Sequence, residues 1–396
     1  MKHFAPAVSL AMAASLASCA SPHSGVVPLN DALRTTMSTP QAVPGNTPHA
    51  LPGNTPQALP GETLGCDLTF EADQANCTIA ININVPPIGN PTTPENLLPG
   101  FHPADLIDRY KLPAQNSGGT VAIVDAYDDP AAEADLAVYR TAYGLPACTS
   151  TNGCFNKVNE QGQTAPYPVA NAGWDQEISL DLDMVSAVCP NCKILLVEAN
   201  SPSFDDLGAS VDTAAKIGAN AISNSYYGPE WSGETAYDFH YLHKGVAITV
   251  SAGDQNSPFY PAVSSNVTAV GGTSLSGSDG AWTESAWKYT AKGCSLYERK
   301  PAWGSTKCKN VRSMNDVAAV ADPQTGVSMY DSTAGGWLVA GGTSVGAPIV
   351  AAAYALSGNP QGPAYSYKHR SAFNDIAPAG YDWATGLGTP DGGAGL

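Results

Sequence analysis

Charge is scarce in this sequence, and positive charge scarcest. Only 13% of the 396 residues are charged, with 18 Lys and Arg against 35 Asp and Glu. The resulting net charge of −17 excludes nucleic acid and anionic lipid surfaces as partners, because both need a basic face. So little charge also excludes a long coiled coil. Histidine is limited to seven residues, and His3, His23 and His49 stand in the first fifty positions. His102, His240, His243 and His369 remain, none in a glycine-rich setting that would mark a catalytic base. Only one Cys-x-x-Cys occurs, Cys189 to Cys192, which argues against a zinc site; it follows a helical pattern and precedes a strand, the reverse of a thioredoxin-type placement. The first apolar run, Phe4 to Cys19, is too short for a comfortable membrane span.

What is present begins with that run. Lys2 and His3 precede it, and "LASC" closes it at Cys19, which reads as a bacterial lipoprotein-type export signal over residues 1–19. Membrane contact is then expected only through a lipidated Cys19. Removing Cys19 from nine cysteines leaves eight. They stand in sequence-local pairs, Cys66/Cys77, Cys148/Cys154, Cys189/Cys192 and Cys294/Cys308, and local disulfides are the simplest reading in an exported chain, though eight cysteines allow about 105 pairings. Residues 20–62 form a Pro-rich linker that ends in three octamers, "TPQAVPGN", "TPHALPGN" and "TPQALPGE". Proline at every fourth position favours polyproline II, a tether of roughly 75 Å at ~3.1 Å per residue. Residues 63–100 hold a disulfide-hairpin candidate, "CDLTFEADQANC", and the strand-like "TIAININV".

From residue 101 to 396 strand and helix patterns alternate. "TVAIVDAY", "KILLVEA", "AISNSYY" and "VAITVSAGD" read as strands; "PAAEADLAVYRTAY", "WDQEISLDLDMVSAV", "SFDDLGASVDTAAKIG" and "ETAYDFHYLHKG" read as helices. Repeated strand–helix units imply an α/β fold, a doubly wound, mostly parallel sheet with helices on both faces. Ligands bind beyond the carboxyl ends of such strands, where "VSAGD" should place Asp254.

One short stretch points to chemistry. In "WLVAGGTSVGAP" an apolar strand runs through Gly341 and Gly342 to Ser344 at the mouth of a small-residue helix, the setting of a serine nucleophile. Gly342 to Gly346 also fits G-x-S-x-G, but that hydrolase elbow needs an acid and then a histidine downstream. His369 is the only later histidine, and no Asp or Glu lies between, so the esterase reading fails on its chain order. Carboxylates are better placed. Glu177 and Asp181 are four apart on one helix face. A coupled pair can hold one proton and act as a base in acid, where histidine would be charged. A solvated acidic face is the competing reading.

"EISLD", "VSAGD", "PAVSSNVTAVGGTSL" and "GGTSVGAP", in this order, resemble the sedolisins, serine-carboxyl peptidases on a subtilisin-like fold. The resemblance covers about residue 101 to the C-terminus. It implies Ser344 as nucleophile, Glu177 as general base, Asp181 as the group that orients Glu177, and Asp254 as a protonated oxyanion donor. Ser274, in a second "GGTS", is followed by a turn-like stretch instead of a helix and is read as structural. Asp125 and Tyr226 are expected near the substrate cleft, Asp125 as a loop-starting aspartate or linked to the Glu/Asp pair, and Tyr226 where the family often has tryptophan. "FNDIAPAGYDW" is similar to the family's calcium segments. It implies Asp375, Ile376, Gly380 and Asp382 as ligands, with Pro378 in place of a usual glycine. Residues 63–100 would be a reduced prosegment, or the enzyme would fold without one. The expectation is an exported, monomeric endopeptidase, held at a bacterial cell envelope or secreted, that cleaves polypeptides at acidic pH. A catalytically silent surface binding protein is the alternative.

Overall fold

The computed structural model describes residues 61–66, 73–77, 79–114, 116, 118–358, 361–376 and 379–396. The export signal, Cys19 and all but the last two linker residues lie outside the described residues. Three short strands come first, β1 (Glu62–Leu64), β2 (Asn76–Cys77) and β3 (Ala80–Asn82). After α1 (Pro103–Tyr110) the chain alternates through β4 (Thr120–Ala126), α2 (Ala132–Ala142), β5 (Phe155–Asn159), α3 (Ala172–Val188), β6 (Lys193–Ala199) and α4 (Phe204–Ile217). Next come β7 (Ala221–Asn224), β8 (Tyr226–Pro229), β9 (Ala247–Ser251), β10 (Phe259–Tyr260), β11 (Thr268–Ser276) and β12 (Thr283–Ala286). Then follow β13 (Gly293–Arg299), β14 (Val311–Met314), β15 (Val317–Val320), β16 (Val327–Asp331) and β17 (Gly336–Gly341). The helices α5 (Thr343–Ser357) and α6 (Pro363–Lys368) and the pair β18 (Phe373–Asn374) and β19 (Thr389–Pro390) end the chain.

The central sheet has the order β12-β11-β9-β7-β4-β6-β5, with β15 also on β11. Every pair is parallel except β11 with β12. The near-continuous apolar strands of the sequence are the parallel ones, buried on both faces by helices. The expected doubly wound α/β fold is therefore present. The four sequence-local cysteine pairs are joined as disulfides.

Two helices matter most for position. Asn171 starts α3 by accepting from the backbone N–H of Gly173 at 3.0 Å and Trp174 at 3.2 Å, which satisfies orphan donors of the first turn. The other helix, α5, is buried from Thr343 to Leu356, and its alanines and Gly346 let it lie close to the sheet. A Cβ on Gly346 would stand 2.9 Å from Val270 Cγ1. Gly342 opens α5 at φ 98°, a left-handed value that favours glycine.

The stretch "ETAYDFHYLHKG" departs from expectation. It forms two short 3₁₀ turns, Glu234–Ala236 and Asp238–Tyr241. Four ring-bearing residues fall within Tyr237 to Tyr241, and they lack a common face. Tyr241 is buried while Phe239 and Leu242 are exposed, so no single helical stripe could cover the core. The strand expected over "AISNSYY" also breaks, at Ser225, where β7 stays in the central sheet and β8 leaves for the three-stranded set β10-β8-β2.

Gly341, at the end of β17 beside Gly342, has no room for a side chain, since a Cβ would lie 2.4 Å from Pro323 N and 2.6 Å from Ala321 O. Gly341→Ala is expected to lower unfolding stability by about 1–3 kcal/mol through overpacking against backbone. Urea denaturation checks this, and an unchanged midpoint would refute the packing.

Candidate active site

The sheet and α5 bring four of the singled-out residues to one region. Glu177 and Asp181 sit one turn apart on α3, both fully buried, and Ser344 occupies the second position of α5. Ser225, between β7 and β8, connects them. Its Oγ lies 2.8 Å from both carboxyl oxygens of Asp181 and 3.4 Å from the Ser344 carbonyl. That carbonyl is available because Pro348, four residues on, has no N–H to return to it. No pattern in the sequence distinguishes Ser225, since a serine between two strand-like runs looks like any turn residue.

Burial pushes the Asp181 carboxyl well above the usual carboxylate range, and the neighbouring Asp125 and Glu177 charges add to the rise. Ser225 and Ser223 oppose it. A protonated Asp181 can donate to Ser225 Oγ, freeing the serine hydrogen for the Ser344 carbonyl. Asp125 ends β4 out of solvent, and burial pushes its carboxyl well above the ordinary range too. It acts on Asp181 from the interior, in keeping with the expected link to the Glu/Asp pair. Tyr226 opens β8. Its ring is fully buried, and its hydroxyl bonds Asn224 Oδ1 at 2.8 Å and approaches the Tyr241 hydroxyl at 3.4 Å.

Asp254 reaches the same region from beyond the end of β9. Its Oδ1 accepts from Thr343 N at 2.9 Å and Thr343 Oγ1 at 2.8 Å, directly beside Ser344. The residue is half-buried overall, but Oδ2 is out of solvent and has no partner among the described residues. Burial pushes the carboxyl up to about 7, against the lowering effect of the Thr343 bonds. With Oδ1 committed as an acceptor, Oδ2 is the atom left to carry a proton.

The histidines are engaged elsewhere. His102 bonds Leu98 O, His240 and His243 share the Asp212 carboxylate, and His369 bonds Tyr365 O. Ser274 lies on β11, and its hydroxyl donates to Asp322 Oδ2. The two carboxylates expected to hold calcium accept hydrogen bonds from their own segment. Asp382 Oδ1 accepts from Ala384 N at 2.7 Å and Thr385 N at 2.9 Å, the Thr385 hydroxyl takes Oδ2, and Gly380 N takes Asp375 Oδ2. No group of three or more His, Cys, Asp or Glu among the described residues could hold a metal; the expected calcium set, two carboxylates and the carbonyls of Ile376 and Gly380, is of a different kind. Pro378 lies outside the described residues.

Comparison with known proteins places the family and the fold. The subtilase family model matches residues 154–372. No curated protein matches the chain. Among solved structures, Pseudomonas sedolisin, a serine-carboxyl proteinase complexed with two molecules of pseudo-iodotyrostatin, is 23% identical with a TM-score of 0.64, over 74% of this chain and 96% of that one. A lanthipeptide protease is 15% identical with a TM-score of 0.51, over 73% of this chain and 91% of that one. Both likenesses describe the fold.

The raised carboxyls fix a pH dependence. Asp129, buried near the N-terminal half of α3, is pushed up to about 7 chiefly by burial, as is Asp254. Between the ordinary aspartate value and about pH 7 the folded protein binds more protons than the unfolded chain, so stability must fall as pH rises through that window. The urea midpoint should be higher near pH 4 than near pH 7. The reverse order would refute the burial of these groups.

Proposed function

The chain belongs to the subtilase family of serine-type peptidases, and on that premise we propose that it is an endopeptidase of the serine-carboxyl kind, active in acid. The observation that carries this reading is the placement of Glu177 and Asp181, buried one turn apart on α3, with Asp181 joined through Ser225 to the Ser344 backbone. Ser344 Oγ attacks the scissile carbonyl carbon while Glu177 takes its proton. Asp181 holds Glu177 in place and buffers its charge. The oxyanion accepts from the Ser344 N–H and from protonated Asp254. Collapse sends the proton from Glu177 to the leaving amine and leaves an acyl-enzyme. Water, deprotonated by Glu177, then hydrolyses the ester.

A carboxylate facing an oxyanion would repel it, so Asp254 works only while neutral. The Asp254 carboxyl at about 7 supports an activity that is present in acid and lost as pH climbs through that value. On the strength of Lys2, the apolar run and "LASC" at Cys19, the enzyme is exported and held at the envelope by lipid, or secreted. Its substrates are polypeptides and it acts as a monomer.

Cleavage of an unstructured protein checks the triad. Ser344→Ala should abolish it and Glu177→Gln should reduce it about 10³-fold or more; cleavage surviving in the serine variant would sink the mechanism. Asp254→Ala should cost about 10²- to 10³-fold in kcat, while Asp254→Asn keeps a donor and should extend activity to higher pH. An unmoved alkaline limb in the pH profile would remove Asp254 from the oxyanion role.

A further inference from the structure

The acidic excess argues against an anionic partner when summed over the whole chain, but a partner meets one face. The basic residues are unevenly spread. Residues 288–312 hold seven of the 18 Lys and Arg and a single acid, Glu298. Most of this stretch is one hairpin, β13 and β14 with the loop of residues 300–310 between them. Glu298 is buried, whereas Arg299, Lys307 and Lys309 are exposed and Lys300 is partly exposed. The Lys and Arg ion pairs among the described residues belong to Arg109, Lys111, Lys157 and Arg312. The four outward cations of the hairpin therefore have no acid partner there, and a local field of one sign survives on an acidic molecule.

The hairpin is held firmly. Cys294–Cys308 ties the end of the loop back to β13. Lys300 N donates to Asn310 O at 3.0 Å, Gly304 N to Pro301 O at 3.1 Å, and Lys307 N to Ser305 Oγ at 3.2 Å. Trp303, within the loop, is partly exposed and packs against Tyr367 of α6, with ring centres 5.0 Å apart. Lys368 and Arg370, both exposed, follow Tyr367 directly. Tyr367 also meets Tyr381 at 6.2 Å, and the Tyr381 hydroxyl lies 2.8 Å from Ser313 Oγ on β14. Two residues on, Trp383 is 42% exposed. On β13 itself Leu296 is 67% and Tyr297 41% exposed. Rings and cations thus alternate on elements that these contacts join.

We propose that the β13–β14 hairpin, with the adjoining end of α6 and residues 381–383, is a docking face for an anionic lipid membrane. Tryptophan and tyrosine settle at the headgroup level of a bilayer, where an apolar ring and a polar edge are both satisfied. Lys and Arg beside them are drawn to the lipid phosphates. Phosphodiesters keep their charge in acid, where Asp and Glu side chains lose theirs, so a lipid surface suits this face better than an acidic polypeptide does. Asp375 is the exposed acid of the adjoining segment, and its Oδ2 is engaged by Gly380 N. A lipid on Cys19 would only tether the chain; this face would also orient the body on the membrane. The docking is independent of the chemistry at Ser344.

The test uses the full chain with Cys19→Ser, which removes lipidation from parent and variants alike. Co-sedimentation is measured in low salt with vesicles of equal parts phosphatidylglycerol and phosphatidylcholine, and with phosphatidylcholine alone. The parent should bind the anionic vesicles at least about tenfold more tightly, and about 0.5 M NaCl should release it. Lys300→Ala/Lys307→Ala/Lys309→Ala should weaken that binding roughly 100-fold, at about fivefold per charge, and Trp383→Ala should weaken it severalfold. Cleavage of a soluble unstructured protein should be unchanged in these variants, which also reports that they fold. Equal binding by parent and triple variant, or equal binding to both vesicles, would overturn the docking face. A triple variant that loses binding to poly-glutamate but keeps its grip on vesicles would assign the hairpin to an acidic polypeptide and overturn the membrane.

Discussion

The site is governed by carboxyl groups buried where no cation balances them. Asp125 and Asp181 are both fully buried and close enough to raise the Asp181 carboxyl, with Glu177 one turn away on α3. The buried basic side chains among the described residues are engaged elsewhere, Arg312 with Asp316 and Arg140 with Ser186 and the Pro146 and Pro190 carbonyls, and the half-buried Lys157 pairs with Asp128 and Glu198. Without a local counter-charge, the remaining way to keep such groups neutral is a proton. The rest follows from that constraint. When protonated, Asp181 can donate to Ser225 and Asp254 can donate from Oδ2, so the hydrogen bonding beside Ser344 depends on how many protons these groups hold.

The fold was legible because strand and helix runs alternate with clear periods, and parallel strands buried on both faces announce themselves as apolar runs. Ser344 was legible from Gly341-Gly342 before it and small residues after it, Asp254 from its place after a strand end. Glu177 and Asp181 needed only helical spacing. Their identity as a working pair instead of a solvated face depended on burial, which spacing cannot express. Ser225 was invisible for the opposite reason, since its importance comes from contacts 44 and 119 residues away in sequence. The helix expected over residues 234–245 failed because its rings point to different neighbours, and Tyr226 turned inward because Asn224 and Tyr241 offer its hydroxyl partners there.

Pro348 illustrates how a locally unfavourable residue can be placed to advantage. A proline inside a helix removes one backbone bond. Here the orphaned acceptor is the carbonyl of Ser344 itself, and Ser225 stands within reach of it. The same serine contacts Asp181, so the first turn of α5 and the acidic face of α3 are linked by one hydroxyl.

The raised carboxyls have a thermodynamic signature of their own. Asp129, Asp175 and Asp254 keep protons in the folded chain that the denatured chain would surrender at the same pH. Unfolding in mildly acidic solution is therefore a proton-releasing reaction, and the buffer must absorb what the protein gives up. The heat recorded in a calorimeter will include the buffer's own heat of protonation. Buffers with different ionisation enthalpies will report different apparent enthalpies for one unfolding event, and the slope between them counts the protons the fold had stored.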